Sequence, residues 1–297
     1  MNEQLVEPIL ELQEVCFRYP DGSVGLDKCS FSIQRGNRIA LLGANGAGKT
    51  TLFLHLNGIL KPKSGRVFFN GSPLDYSRQG LHNLRSRIGL VFQNPDSQLF
   101  SASVREDVSF GPLNLGLDNE TVKSRVEDAL KSVGMLNCAD KPVHNLSYGQ
   151  KKRVCIAGVL AMQPDVLILD EPMAGLDVAM QVELTHILER VHTEGMTIII
   201  ATHDIDFAYQ WADFLTVLVK GSCASTLDVE SIPDSLDNFA VYGLGVPRVA
   251  ELHNHLVAGG LINGVGTLPR SYQDLMEMVA DIPTYLNNTL EQCLTNG

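Results

Sequence analysis

An apolar run at residues 38–42 breaks into Gly43-Ala44-Asn45-Gly46-Ala47-Gly48-Lys49-Thr50 and continues as a helical pattern over 48–57. The spacing G-x-x-x-x-G-K-[ST] between a strand and a helix commits the chain to an α/β core, because such a loop works only where a helix starts at a strand end. The glycines Gly43, Gly46 and Gly48 let the backbone curl around Asn45, so that successive N–H groups and the helix N-terminus point at a β-phosphate. Lys49 would reach the β/γ oxygens, and Thr50, followed by Thr51, would set its hydroxyl on Mg²⁺. The expected ligands are therefore ATP and Mg²⁺.

A second segment completes this reading. Val166-Leu167-Ile168-Leu169-Asp170-Glu171 is a buried strand ending in two carboxylates. Alone, such a pair reads as a solvated turn. Beside a phosphate loop it reads as the other half of a nucleotide site, and strand alternation gives its members different work. Asp170 would hold Mg²⁺ through water, while Glu171 would take the proton of the attacking water.

The rest of the chain is ordered around these two strands. Partly alternating segments at 9–19 and 29–34, separated by Pro20-Asp21-Gly22, predict antiparallel strands. A strand at 88–92 precedes a helical insertion at 94–162, in which Pro95, Gly111, Pro112 and Gly116 interrupt the pattern before a helix at 119–133. Alternating elements then resume: strands at 166–169, 196–201 and 214–219, helices at 178–193 and 204–212. Beyond 228, Val246, Val249, Leu252 and Leu256, then Tyr272, Leu275, Met276 and Val279, predict a small appended domain at 229–297 that packs internally or pairs with a second copy.

Charge and hydropathy exclude some functions. Lys plus Arg number 23 against 34 Asp plus Glu, a net charge of −11, which disfavours nucleic acid as a partner. The apolar runs are all far shorter than the eighteen or so residues a spanning helix needs. Residues 1–7 carry no apolar signal core, so the expected location is cytoplasmic. The six cysteines, 16, 29, 138, 155, 223 and 293, show no metal spacing and read as buried thiols.

The segment Leu146-Ser147-Tyr148-Gly149-Gln150 resembles the L-S-G-G-Q signature of ATP-binding-cassette (ABC) ATPases. The resemblance implies a P-loop NTPase fold: a RecA-like α/β core, an antiparallel β subdomain and a helical subdomain, here within 1–228. It implies that Ser147, Gly149 and Gln150 close on ATP held by a partner's phosphate loop, so that dimerisation is part of catalysis. Tyr148 departs from the usual glycine. Gln93 resembles the Q-loop glutamine, which touches Mg²⁺ or its water and senses the transporter. Asp177 resembles the D-loop aspartate, and His203 the histidine that contacts the γ-phosphate and orients Glu171. Tyr19 fits the aromatic on which adenine stacks.

Residues 91–100 with the stretch at 106–117, and the run Lys151-Lys152-Arg153-Val154-Cys155, are similar to the ATPase subunits of energy-coupling-factor (ECF) transporters, the cobalt/nickel type in particular. This implies integral membrane partner subunits, a second ATPase subunit (identical or paralogous), and a peripheral place on the cytoplasmic face of the cell membrane. The cargo implied is cobalt or nickel; a vitamin transporter and a soluble non-transport ABC ATPase are the alternatives. The basic triplet 151–153 reads as a solvated helix face. His253 and His255, two apart on a helix, do not face each other and predict no metal site.

Overall fold

The computed structural model describes residues 7–229, 242, 244–263 and 268–279. The chain opens with β1 (Leu10–Arg18) and β2 (Val24–Ile33), then runs through β3 (Arg38–Leu42) into α1 (Lys49–Leu56). β4 (Ser64–Phe69), the short β5 (Ser72–Pro73), α2 (Arg78–Arg87) and β6 (Ile88–Val91) follow. Three helices come next: α3 (Val104–Asn114), α4 (Asn119–Ser132) and α5 (Tyr148–Leu160). The chain returns to alternation with β7 (Val166–Asp170), α6 (Val178–Thr193), β8 (Thr197–Ala201), α7 (Ile205–Trp211), β9 (Phe214–Val219) and β10 (Ser222–Asp228). Among the described residues beyond β10 are the helices α8 (Arg248–Ala258) and α9 (Tyr272–Val279).

The strands form two sheets. An antiparallel sheet has the order β2-β1-β4-β5, and a larger sheet the order β10-β9-β3-β8-β7-β6. In the larger sheet every pairing is parallel except that of the edge strand β10 with β9. Parallel strands covered on both faces need apolar side chains at every position, which is why β6, β7 and β8 are buried along their whole length. Alternate residues of β3 serve different cores. Ile39 and Leu41 join the antiparallel sheet and α1, whereas Ala40 and Leu42 join the side that carries α3 to α6.

Two departures from the sequence reading have physical causes. Residues 104–114 form a helix despite Pro112, because the proline sits in the last turn and Ser103 caps the start by accepting from the Glu106 N–H. The second is that the sequence reading contains neither α2 nor β10: α2 has one buried residue, Leu84, and so carries almost no apolar stripe, and no residue of the edge strand β10 is fully buried. The described part of the carboxy-terminal region packs on α7. Arg248 pairs with Asp206 at 2.9 Å, and Arg270 donates to the carbonyls of Tyr209 and Ala212. Buried Val249, Leu256, Leu275 and Val279 join the core on that side. Of the cysteines, Cys29 and Cys155 are buried while Cys16, Cys138 and Cys223 are only half-buried; Cys293 lies outside the described residues.

Candidate active site

The ends of β3, β7 and β8 converge on a cleft of about 720 Å³, within the size range of small-molecule sites. Tyr19, Asn45, Gly46, Gly48, Lys49, Thr50, Thr51, Gln93, Asp170, Glu171 and His203 all line it. The loop before α1 is forced into shape by its surroundings. Gly48 has φ 107°, and a Cβ there would lie 2.5 Å from the carbonyl oxygen of Gly25. Only glycine fits.

Lys49 Nζ donates to the Gly43 carbonyl at 2.6 Å and stands 3.7 Å from Glu171 Oε1. The ammonium is therefore at the junction of the phosphate loop and the second carboxylate. Thr50 Oγ1 donates to Asp170 Oδ2 at 2.6 Å. Burial raises the Asp170 pKa above the ordinary carboxylate value, with the Thr50 hydrogen bond acting against it. A hydroxyl and a carboxylate side by side, with the Gln93 side chain on the same cleft, make an all-oxygen donor set that suits Mg²⁺. Among the described residues no group of three or more His, Cys, Asp or Glu is arranged to hold a metal ion by itself, and Mg²⁺ characteristically takes one or two carboxylates plus phosphate oxygens instead of a full protein cage.

Glu171 has φ 47°, a left-handed backbone that is uncommon outside glycine. This turn at the end of β7 sends its carboxylate across to His203, whose Nδ1 lies 2.9 Å from Oε2. The backbone N–H of Glu171 still pairs with the Ala201 carbonyl at 3.0 Å, so the turn begins only after the last ladder bond. Tyr19 shares a 2.9 Å hydrogen bond with Thr51, which places its ring at the cleft rim beside Val24.

Ser147, Gly149, Gln150 and Asp177 do not line this cleft. Ser147 and Gln150 form a reciprocal cap at the start of α5, each side chain accepting from the other's backbone N–H, at 3.3 and 3.0 Å. A Cβ on Gly149 would stand 2.5 Å from Met180 Sδ, so close packing on α6 is one reason for glycine there. Asp177 caps α6, accepting from the Met180 N–H at 2.8 Å.

The basic triplet departs from its expected solvated face. Lys151 pairs with Asp96 at 2.7 Å and Arg153 with Glu183, but Lys152 is buried, 2 % exposed, and donates to three backbone carbonyls of the turn after β7. A signal for this was present. Gly149, Lys152, Ile156 and Val159 are spaced as one helical stripe, and all are buried.

A second cleft, of about 630 Å³ and lined by Ile59, Leu81, Phe92, Phe100, Phe110 and Met162 among others, lies between α2 and α3. At its mouth Phe100 and Phe110, 66 % and 50 % exposed, meet edge to face at 4.8 Å. No helix among the described residues is long and apolar enough to cross a membrane.

Residues 26–174 match a protein-family profile described as ABC transporter. The chain is 48% identical to the energy-coupling factor transporter ATP-binding protein EcfA of Methanocaldococcus jannaschii, over 82% of this chain and 88% of that one. It is 47% identical to EcfA3 of Clostridium perfringens, over 82% and 86%. Among solved structures it resembles cbiO1 of Clostridium perfringens, described as part of the ABC transporter complex cbiONQ, with a TM-score of 0.72, 46% identity, and coverage of 84% of this chain and 99% of that one. A dimeric ATP-binding cassette in a post-hydrolysis state with ADP and Pi is similar at a TM-score of 0.68 and 25% identity, over 74% and 98%.

Proposed function

The chain belongs to the ABC transporter family, as an ATP-hydrolysing subunit of energy-coupling-factor type, and on that footing we propose that two such chains, identical or paralogous, drive uptake through a membrane subunit. The observation that carries the dimer is the separation just described. Phosphate loop, both carboxylates and His203 share one cleft, while Ser147 and Gly149 lie outside it. ATP bound at Lys49 of one protomer would be closed over by Ser147 and Gly149 of the other, in which the α5 N-terminus supplies backbone donors and a favourable dipole. Asp177 would lie at the same junction.

In this reading Tyr19 stacks on adenine, and the loop N–H groups with Lys49 hold the β- and γ-phosphates. Thr50, Asp170 and Gln93 would hold Mg²⁺, which when bound neutralises charge on the phosphate oxygens. Glu171 takes the proton of a water as its oxygen bonds to the γ-phosphorus and the bond to ADP breaks. His203 keeps the Glu171 carboxylate aimed and contacts the γ-phosphate. Glu171→Gln should therefore bind ATP but hydrolyse it at least about 100-fold more slowly, and should accumulate as an ATP-bound dimer in size-exclusion chromatography. Lys49→Ala should instead lose nucleotide binding. An unaltered ATPase rate in Glu171→Gln removes that residue from the role.

The apolar cleft beside Gln93 is the proposed seat of a helix from the membrane subunit, on the cytoplasmic side; its exposed Phe100 and Phe110 favour a short amphipathic helix. For cargo we take a transition metal ion, cobalt or nickel, which the resemblance of residues 91–100 and 106–117 to the cobalt/nickel type implies. Uptake of labelled cobalt or nickel by the reconstituted complex tests this, and uptake of a vitamin alone overturns it.

A further inference from the structure

Lys152 is a buried cation with no carboxylate on its ammonium among the described residues. Its three N–H bonds go to three carbonyls of one turn: Glu171 at 3.1 Å, Pro172 at 2.7 Å and Ala174 at 2.8 Å. An ammonium has three donors and no acceptor, so its hydrogen-bonding capacity is fully used. The first of those carbonyls belongs to the residue with the left-handed backbone, a conformation that persists only where its surroundings enforce it. The same turn is gripped a second time. Tyr148, four residues earlier on the same helix face, packs its ring on Gly175, reaches the Gln93 carbonyl with its hydroxyl at 3.4 Å, and lies 5.4 Å from Lys152 Nζ.

From this geometry we propose that Lys152 is a positioning residue for hydrolysis: it fixes the turn that aims Glu171, and ties that turn to the helix whose N-terminus carries Ser147 and Gly149. The link rests on the reading of α5 as the partner-facing clamp. It makes one helix answer to both sites. The end that would meet the partner's nucleotide is one turn away from the lysine that sets its own protomer's carboxylate. The signature tyrosine also acquires a purpose, since its ring covers the ammonium and closes the other side of the turn.

The test compares the purified full chain with Lys152→Met, which has no donor, and Lys152→Gln, which keeps two. Loss of aim without loss of binding should lower kcat about 10- to 100-fold in Lys152→Met, leave the KM for ATP within about threefold, and leave the melting temperature of the ATP-bound chain near that of wild type. Lys152→Gln should recover part of kcat. Glu171→Gln runs alongside: if it remains active, the assignment of Glu171 fails and not this inference alone. If Glu171→Gln is inactive while Lys152→Met keeps kcat within twofold, or if KM rises as much as kcat falls, positioning by Lys152 is overturned. Should Lys152→Met fail to fold, Lys152→Gln decides by the same split, and a failure of both to fold assigns the residue to folding alone.

Discussion

A lysine inside a protein carries a cost that changes with pH. Burial pulls the Lys152 ammonium down from 10.5 to about 8, against the pull of Glu171 and Cys155, which favour the charge. Below about pH 8 both folded and unfolded chains carry the proton, and the cost of the buried charge is present in full. Between about 8 and 10.5 the unfolded chain holds more protons than the folded one, so this residue's contribution to stability improves as pH rises. Its donors weaken over the same window. Stability relative to Lys152→Gln, followed by denaturant melts, should rise from pH 8 to 9.5 while the ATPase rate relative to that variant falls; parallel trends would contradict the burial described above.

Among the elements, α5 serves the candidate site and the core at once. Its first turn is closed by the Ser147–Gln150 box, its buried stripe carries Gly149 and Lys152, and its remaining apolar residues fill the helical side of the core. Removing the cap with Ser147→Ala should cost about 1 kcal/mol in chemical unfolding, even before any nucleotide is added. The sequence made the site's elements readable because phosphate loops and buried parallel strands obey strict local rules: 38–42, 166–170 and 197–201 follow from apolar runs and loop glycines. The burial of Lys152 is hidden by its charged neighbours Lys151 and Arg153, and only helical phase, with Gly149, Ile156 and Val159 on the same stripe, reveals it. α2 was invisible for the opposite reason, having no apolar phase to find. The left-handed turn at Glu171 had no local signal at all, since it is imposed by the β7–β8 ladder on one side and Lys152 on the other.

For the whole molecule, the larger sheet is both floor of the cleft and wall between two cores, and the apolar groove by α3 is lined by Phe92, the residue before Gln93. Replacing one of the groove's exposed rings, Phe110→Asp, should abolish co-purification with the membrane subunit while the isolated chain still binds ATP, as checked by pull-down and by nucleotide titration. The distance between Ser147 and its own phosphate loop has a genetic meaning as well. On the proposed arrangement each chain lends its α5 end to a site it does not own, so a Lys49→Ala chain and a Ser147→Arg chain, each inactive by itself, would assemble into a mixed pair with both faults gathered at one nucleotide. The other nucleotide would meet an intact loop and an intact helix end. Two dead alleles expressed together at equal level should therefore restore about a quarter of the wild-type rate, since half of the pairs are mixed and each has one sound site of two.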